Sequence, residues 1–464
     1  MGFHILISHK GAKLMKRTIS LILISLFILI FVPTEKAYGV NMYDYIDVKL
    51  SRPLVQNAYV NLSSPMGFSI YDVEEKDNPL FIIEETAIKA IPNNEYIDLV
   101  DSTNNLLYSL PNDGSLILGS KDLEEPLITV EKDMYRGYIR FLINNNELVV
   151  INHVNIEQYL YGVVPREMSY TSPMEALKAQ AVASRTYAIH NINKHAHEGF
   201  NLCDTTHCQV YNGFIYEKPT TNQAVDETKG ILIYYDGEVI EAVYHSSSSG
   251  YTEDSSNVWG GNIPYLKSVE DHFSLDSPHS SWSFRIKLSE LNEKLIKAGI
   301  VIGDIQDIEI VETSPTKKVN KLRLKGTLGE EIISGESFRS IIGGTALKST
   351  WFSIKGASSN AVNYAYVLDG SSLLPKAVDI TKAYIIDGNN RRTVTRSMIS
   401  RAMGKDRIRS FEQIPFISGD ELLIEGSGYG HGVGMSQYGA KKMAESGYSF
   451  EDILKYYYTG VDVY

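Results

Sequence analysis

The chain has 464 residues, of which 43% are apolar and 22% charged, and it carries only two cysteines. At about 100–200 residues per domain this is enough for two or three packed cores, and it excludes both a disordered chain and a disulfide-stapled miniprotein. The formal charge of −12 becomes −16 once the first 39 residues, which carry +4, are set aside; so acidic a body grips phosphate backbones poorly, and nucleic acid is not an expected partner.

At the N-terminus, Lys10, Lys13, Lys16 and Arg17 precede Ile19 to Val32, a run of 14 apolar and Ser residues, and then Pro33 and the small-residue sequence Ala37-Tyr38-Gly39. This is the order of a secretory signal, and the run falls short of the roughly 20 apolar residues that span a bilayer. Residues 1–39 read as a signal peptide or a membrane anchor. The remainder is expected to be exported, touching a membrane only through that segment. From residue 40 to 134, short β-type runs (Val48–Leu50, Tyr59–Leu62, Gly67–Tyr71, Leu80–Ile83, Ser115–Leu118) alternate with Asn- and Gly-containing turns, which predicts a small all-β accessory module, structural or wall-docking.

From residue 135 onward helices join the strands, giving an α+β class: a β-rich mixed domain with a few helices over 135–464, with an extension at about 357–410. A hairpin is expected around Asn144–Asn146, then a short helix capped by Asn155 with Gln158 at its third position. Ser172-Pro173-Met174-Glu175 predicts a capping box opening a helix that runs to about His195, with Leu177, Ala181 and Ala188 on its buried face. Strands return at Ile231–Tyr235 and Val239–Tyr244. A helix is expected at Leu288–Ala298, a hairpin at Lys321–Ile333, and a last helix capped by Ser449 with Asp452 at its third position, stopped at Gly460. Between Arg391 and Arg409, seven Lys or Arg face a single Asp. This is a solvated face or a docking site for an anionic wall polymer.

The chemistry concentrates in 135–464. Glu167, after Pro165 in an apolar setting, reads either as an exposed, salt-bridged Glu, which the local setting alone favours, or as a carboxyl whose pKa burial would raise, as a general acid on a glycosidic oxygen requires. Gln180 and Arg185 lie on the helix that follows, and His245 (His-Ser-Ser-Ser-Ser-Gly250) and His431 (Gly428-Tyr-Gly-His-Gly-Val-Gly434) sit among small residues that let a ligand approach the backbone. No Gly-x-Ser-x-Gly elbow and no His-Glu-x-x-His occurs, which disfavours an acyl-transfer hydrolase and a catalytic zinc. Cys203 and Cys208, in Cys-Asp-Thr-Thr-His-Cys, have His195, His197 and His207 nearby. They read either as a disulfide, the default for an exported chain, or as a structural zinc site with His197 and His207.

Five ordered segments, Tyr159–Met168, Glu175–Tyr187, Cys203–Tyr211, His245–Gly250 and Gly428–Ala440, resemble the stage II sporulation protein D (SpoIID/LytB) family from about Tyr135 to Tyr464. The resemblance implies a peptidoglycan lytic transglycosylase acting on glycan strands stripped of stem peptides by an amidase. It places the catalytic acid at Glu167, and metal binding, where members have it, at His197, Cys203 and Cys208. Such an enzyme needs no cofactor for its chemistry. One carboxyl suffices, because the C6 hydroxyl of N-acetylmuramic acid attacks the anomeric carbon and forms a 1,6-anhydro product, whereas an ordinary glycosidase needs two; no second carboxylate partnered to Glu167 is evident in the sequence. Gln180, Arg185, Tyr187, His245, Ser246, His431 and Gln437 are expected to line the glycan cleft. The family's other branch, named for enhancing an amidase, implies the alternative of a non-catalytic wall-binding protein.

Overall fold

The computed structural model describes residues 44–51, 59–122, 124, 126–145, 147–355 and 421–464, together with short paired strands between 364 and 410. The N-terminal segment 1–39 and the side chains of the basic cluster 391–409 lie outside the described residues. With 25% of residues helical and 35% in strands arranged in several sheets, the α+β class expected from sequence holds. No helix among the described residues is long and apolar enough to cross a membrane.

Twelve described strands precede the first described helix: β1 (Tyr45–Lys49), β2 (Val60–Ser63), β3 (Phe68–Asp72), β4 (Phe81–Ile83), β5 (Ala87–Asn93), β6 (Tyr96–Val100), β7 (Leu106–Pro111), β8 (Leu116–Ser120), β9 (Leu127–Val130), β10 (Asp133–Arg136), β11 (Tyr138–Asn144) and β12 (Glu147–Asn155). With β13 (Leu202–Cys203) they form a seven-stranded sheet, β13-β1-β12-β11-β8-β3-β4, and a six-stranded sheet, β10-β9-β2-β5-β6-β7. The boundary expected at residue 134 therefore does not divide the fold. Strand β1 pairs antiparallel with β12 (Tyr45↔Asn155) and parallel with β13 (Lys49↔Cys203), so the N-terminal strand sits between two strands of the later region. The alternation of β1, with Ile46 and Val48 buried between half-exposed neighbours, fixes its register, because a slip by one residue would turn both out of the core.

The sheet delivers the chain to α1 (Ile156–Glu167), whose cap is the expected Asn155, accepting from the Glu157 amide at 3.0 Å. The helix continues through Pro165 and ends at Glu167 itself, longer than the sequence suggested. Helix α2 (Met174–His190) starts at Met174 after Pro173, with no side-chain cap, so the capping box expected at Ser172 is absent. Glu175 is instead engaged elsewhere: its carboxylate accepts from the Phe450 amide at 2.9 Å and from Lys178 at 3.0 Å. Phe450 opens α8 (Phe450–Tyr457), where the capping box of Ser449 and Asp452 forms as expected.

Three more helices surround this region: α3 (Pro219–Glu227), α4 (Ser255–Trp259) and α7 (Gln437–Glu445). Ala179, Val182 and Ala183 of α2 pack against Met443, Ile453, Leu454 and Tyr457, all essentially unexposed. Small Ala side chains let the helices approach closely, and burying each large apolar side chain contributes about 1.5–3 kcal/mol. A second core lies in residues 282–355 with 421–426, where α5 (Leu288–Lys297) and α6 (Gly335–Ile342) cover the sheets of Trp282–Lys287, Phe352–Lys355 and Glu421–Gly426 and of the hairpin Val319–Gly326/Gly329–Ser334. Among the described residues the extension holds three antiparallel strand pairs, the first joining Tyr364–Val367 to Lys376–Asp379.

Candidate functional site

Two carboxylates stand at opposite ends of α1. Glu157, in the first turn, is buried against α2, where Arg185 Nε donates to its Oε1 at 3.0 Å, Arg185 Nη2 donates to its Oε2 at 2.6 Å and the Gly230 amide adds a bond at 3.1 Å. The remaining guanidinium donors reach the carbonyls of Ile231 and Val225, both at 3.2 Å. Arg185, whose side chain is 2% exposed, is thus an interior strut and not a residue of the cleft.

Glu167, at the other end, has no such guanidinium. Burial raises its pKa above the usual carboxylate value; hydrogen bonds from the Val210 amide, the Tyr244 hydroxyl and the Gln437 amide, with the charge of Arg166, oppose that rise only in part. The C-terminal end of a helix, where unpaired carbonyls converge, is itself an unfavourable place for a negative charge. A polar network holds the donors in place. Gln437 Nε2 donates to Gln180 Oε1 at 3.0 Å, and Gln180 Nε2 to Ser184 Oγ at 3.0 Å. Gln209 Nε2 donates to the Tyr244 hydroxyl at 3.2 Å and its Oε1 accepts from Tyr159 at 3.2 Å. Gln180, fully buried, therefore acts through Gln437 and does not itself face the cleft. Lys178 is occupied by Glu175 at 3.0 Å and Glu227 at 2.8 Å.

Glu167 opens into a cavity of about 740 Å³ whose walls include Tyr187, Tyr244, Trp259, His431 and Glu241, a size typical of small-molecule sites, about 300–1,000 Å³. Tyr187 and His431 are where the sequence placed them. His245 lies buried behind, its ring 5.7 Å from that of His431. Ser246 is not among the lining residues; its carbonyl accepts from the Tyr438 amide at 3.0 Å. The Val433 amide donates to His431 Nδ1 at 3.1 Å while His245 Nδ1 donates to the Val433 carbonyl at 3.1 Å. Burial lowers the pKa of both rings, which favours their neutral forms. The glycines are needed for this approach: a Cβ on Gly430, at φ +113°, would lie 2.7 Å from His245 Cβ, and one on Gly432, at φ +83°, 2.3 Å from the Trp351 ring.

Sequence reasoning missed Tyr244, Gln209 and Val210, although Tyr244 adjoins the His245–Gly250 segment and the other two lie within Cys203–Tyr211. It also missed Glu241, a second carboxylate in the cavity.

One wall of the cavity includes His207 and Cys208. Ligand atoms of His195, Cys203, His207 and Cys208 all lie within 4.8 Å of one another. Cys208 Sγ is 3.4 Å from His195 Nε2 and 3.5 Å from His207 Nδ1, and Cys203 Sγ is 3.7 Å from His207 Nδ1. Around a tetrahedral zinc with Zn–S near 2.3 Å and Zn–N near 2.0–2.1 Å, such donors would be about 3.5 Å apart, so the set fits. His195 Nδ1 meets Glu198 at 2.5 Å, the carboxylate support that metal-bound imidazoles commonly have. One expectation changes. His197, 78% exposed and turned toward Glu198, is replaced in the set by His195. The two cysteines are unbonded in this structure, with an imidazole nitrogen in contact with each sulfur.

Residues 144–235, the span from the β11–β12 turn to Tyr235 that contains α1, α2 and the Cys/His cluster, match the model of the SpoIID stage II sporulation protein family. Over that span the chain is similar to the SpoIID family. It is 32% identical over 308 residues to the amidase enhancer of Bacillus subtilis, spanning 65% of this chain and 39% of that longer protein. It is 28% identical over 330 residues to stage II sporulation protein D of Bacillus subtilis, spanning 68% of this chain and 75% of that one. An uncharacterized protein of Brachyspira hyodysenteriae is 29% identical over 330 residues, 71% of this chain and 72% of its own.

Proposed function

We propose that this protein acts on the cell wall, outside the cytoplasmic membrane, as a lytic transglycosylase cutting the MurNAc–GlcNAc β-1,4 bond of denuded glycan strands. The observation that carries the reading is the environment of Glu167: a desolvated carboxyl with a raised pKa, opening into a cleft and held by neutral hydrogen-bond donors. Such a carboxyl keeps its proton toward neutral pH and therefore has one to give. Glu167 protonates the glycosidic oxygen as the bond to the anomeric carbon breaks; the resulting carboxylate then takes the proton of the muramic acid C6 hydroxyl as that oxygen closes on the anomeric carbon. Tyr244, Gln437 and the Val210 amide stabilise the transient carboxylate through the bonds that already oppose its pKa rise.

A zinc ion on His195, Cys203, His207 and Cys208 would have four protein ligands and hence serve structure rather than chemistry. It would brace the segment that runs from Cys208 through Gln209 to Val210, two residues whose groups bond Tyr244 and Glu167.

Mass spectrometry of peptide-free glycan incubated with the purified protein tests the reading: 1,6-anhydro ends are expected from the native chain and not from E167Q. Glu241 in the same cavity favours a second reading, two-carboxylate hydrolysis. That reaction would yield reducing ends and fail in E241Q, whereas the transglycosylase keeps most of its activity in that variant. The similarity to an amidase enhancer supports a further alternative, recruitment of an amidase without glycan cleavage; no product of either kind, together with acceleration of a partner amidase, would establish it.

A further inference from the structure

We infer that Trp259 is the sugar-stacking platform of the cleft, a specificity residue that holds the apolar face of a hexosamine ring beside Glu167. The inference rests on the reading of the cavity as a glycan site. The chain has three tryptophans. Trp282 and Trp351 are core residues at 8% and 5% exposure, whereas Trp259 is 49% exposed and stands on the wall of the cavity that contains Glu167.

An indole left half in water forgoes the burial that normally justifies so large a ring. It is not a loose surface residue, because its mounting is rigid. Trp259 closes α4, whose Asp254 cap accepts from the Ser256 amide at 3.2 Å and pairs with Lys267 at 3.3 Å. The Ser255 hydroxyl ties down the loop that follows, donating to the Gly261 carbonyl at 2.8 Å and accepting from the Ile263 amide at 3.0 Å. Gly260 turns the chain through φ +78° at the helix end. The indole then leans on His431, ring centres 5.2 Å apart, and that imidazole is fixed by its bond from Val433.

A flat, fixed, half-exposed aromatic beside Tyr187, Glu241 and Lys194 presents one apolar plane and several polar groups. A pyranose offers the complementary pattern: C–H bonds on one face and hydroxyl or acetamido groups around the rim. The ring loses little conformational entropy on docking, since the platform is already ordered. Fixing a sugar plane there would orient its glycosidic oxygen relative to Glu167, a positioning effect that appears in both KM and kcat.

The single exposed tryptophan makes this directly readable. On an E167Q background, which leaves bound glycan uncut, peptide-free glycan oligomers are titrated into the chain and into its W259A and W259F variants, following affinity by calorimetry and acrylamide quenching of intrinsic fluorescence. The expected result is that glycan shields the E167Q chain from quenching, W259A loses about tenfold in affinity, and W259F recovers part of that loss while showing no protection, because the two remaining indoles are buried. Unchanged melting temperatures are expected, since a half-exposed side chain contributes little to folding. Glycan that binds E167Q and W259A equally, or binds E167Q without altering quenching, overturns the assignment while leaving the transglycosylase reading intact. Binding confined to peptide-bearing fragments also overturns it. Absence of any glycan binding overturns both.

Discussion

The two ends of α1 place the same residue type in opposite electrostatic settings. Glu157 is buried with a guanidinium that answers both of its oxygens and with the Gly230 amide, so its burial is compensated and its role is to lock α1 to α2. Glu167 is desolvated without a bonded cation, and its charge is answered only by neutral donors and the neighbouring Arg166. The difference separates a carboxylate that holds a fold together from a carboxyl poised to exchange a proton. It also shows why the Arg of the Glu175–Tyr187 motif is an interior residue: its guanidinium is spent on the structural acid.

Exchanging these settings should produce effects of decreasing size. Replacing the proton donor in E167Q is expected to reduce 1,6-anhydro product formation by about 10²–10⁴-fold, measured by product mass spectrometry on peptide-free glycan. The same variant should be no less stable than the native chain at neutral pH. Because the folded pKa of Glu167 is raised, the native fold is penalised as pH rises past the unfolded carboxyl value, and the Gln variant escapes that penalty. Thermal melts at pH 4 and pH 8 check the sign.

Removing the compensating cation in R185M should destabilise the fold by about 3–5 kcal/mol in urea denaturation, because Glu157 would remain buried and unpaired. Adding E157Q to R185M should restore much of that loss; an R185M chain as stable as the native one would contradict the strut assignment. The smallest expected effect is on the pH profile of Y244F. The Tyr244 hydrogen bond lowers the pKa of Glu167, so its loss raises that pKa further, and the alkaline limb of kcat/KM, where the acid loses its proton, should move to higher pH.

Much of the local structure was legible because it depends on neighbours along the chain. The Asn155 cap, the Ser449–Asp452 box and the hairpin at Val319–Ser334 all form where sequence spacing puts them, since each is closed by groups a few residues apart. The prediction failed where a distant partner competed. Glu175 would have completed a box with Ser172, but the Phe450 amide, 275 residues away, takes its carboxylate. His197 and His195 are two residues apart and indistinguishable by spacing, yet on the short turn Ala196–Glu198 one points to solvent and the other to the sulfurs of the cluster.

What the sequence determined by itself was composition and local chemistry: an acidic body poorly suited to phosphate backbones, the α+β class, and, only through the family resemblance, Glu167 as the candidate acid. What only the tertiary structure decided was which groups face one another. β1 joins β12 and β13 across any boundary at 134, Arg185 turns inward to Glu157, Glu241 and Trp259 enter the cavity, and the two thiols gather with the imidazoles of His195 and His207. These are contacts between residues far apart in the chain, fixed by the packing of sheets and helices, and no periodicity or spacing encodes them.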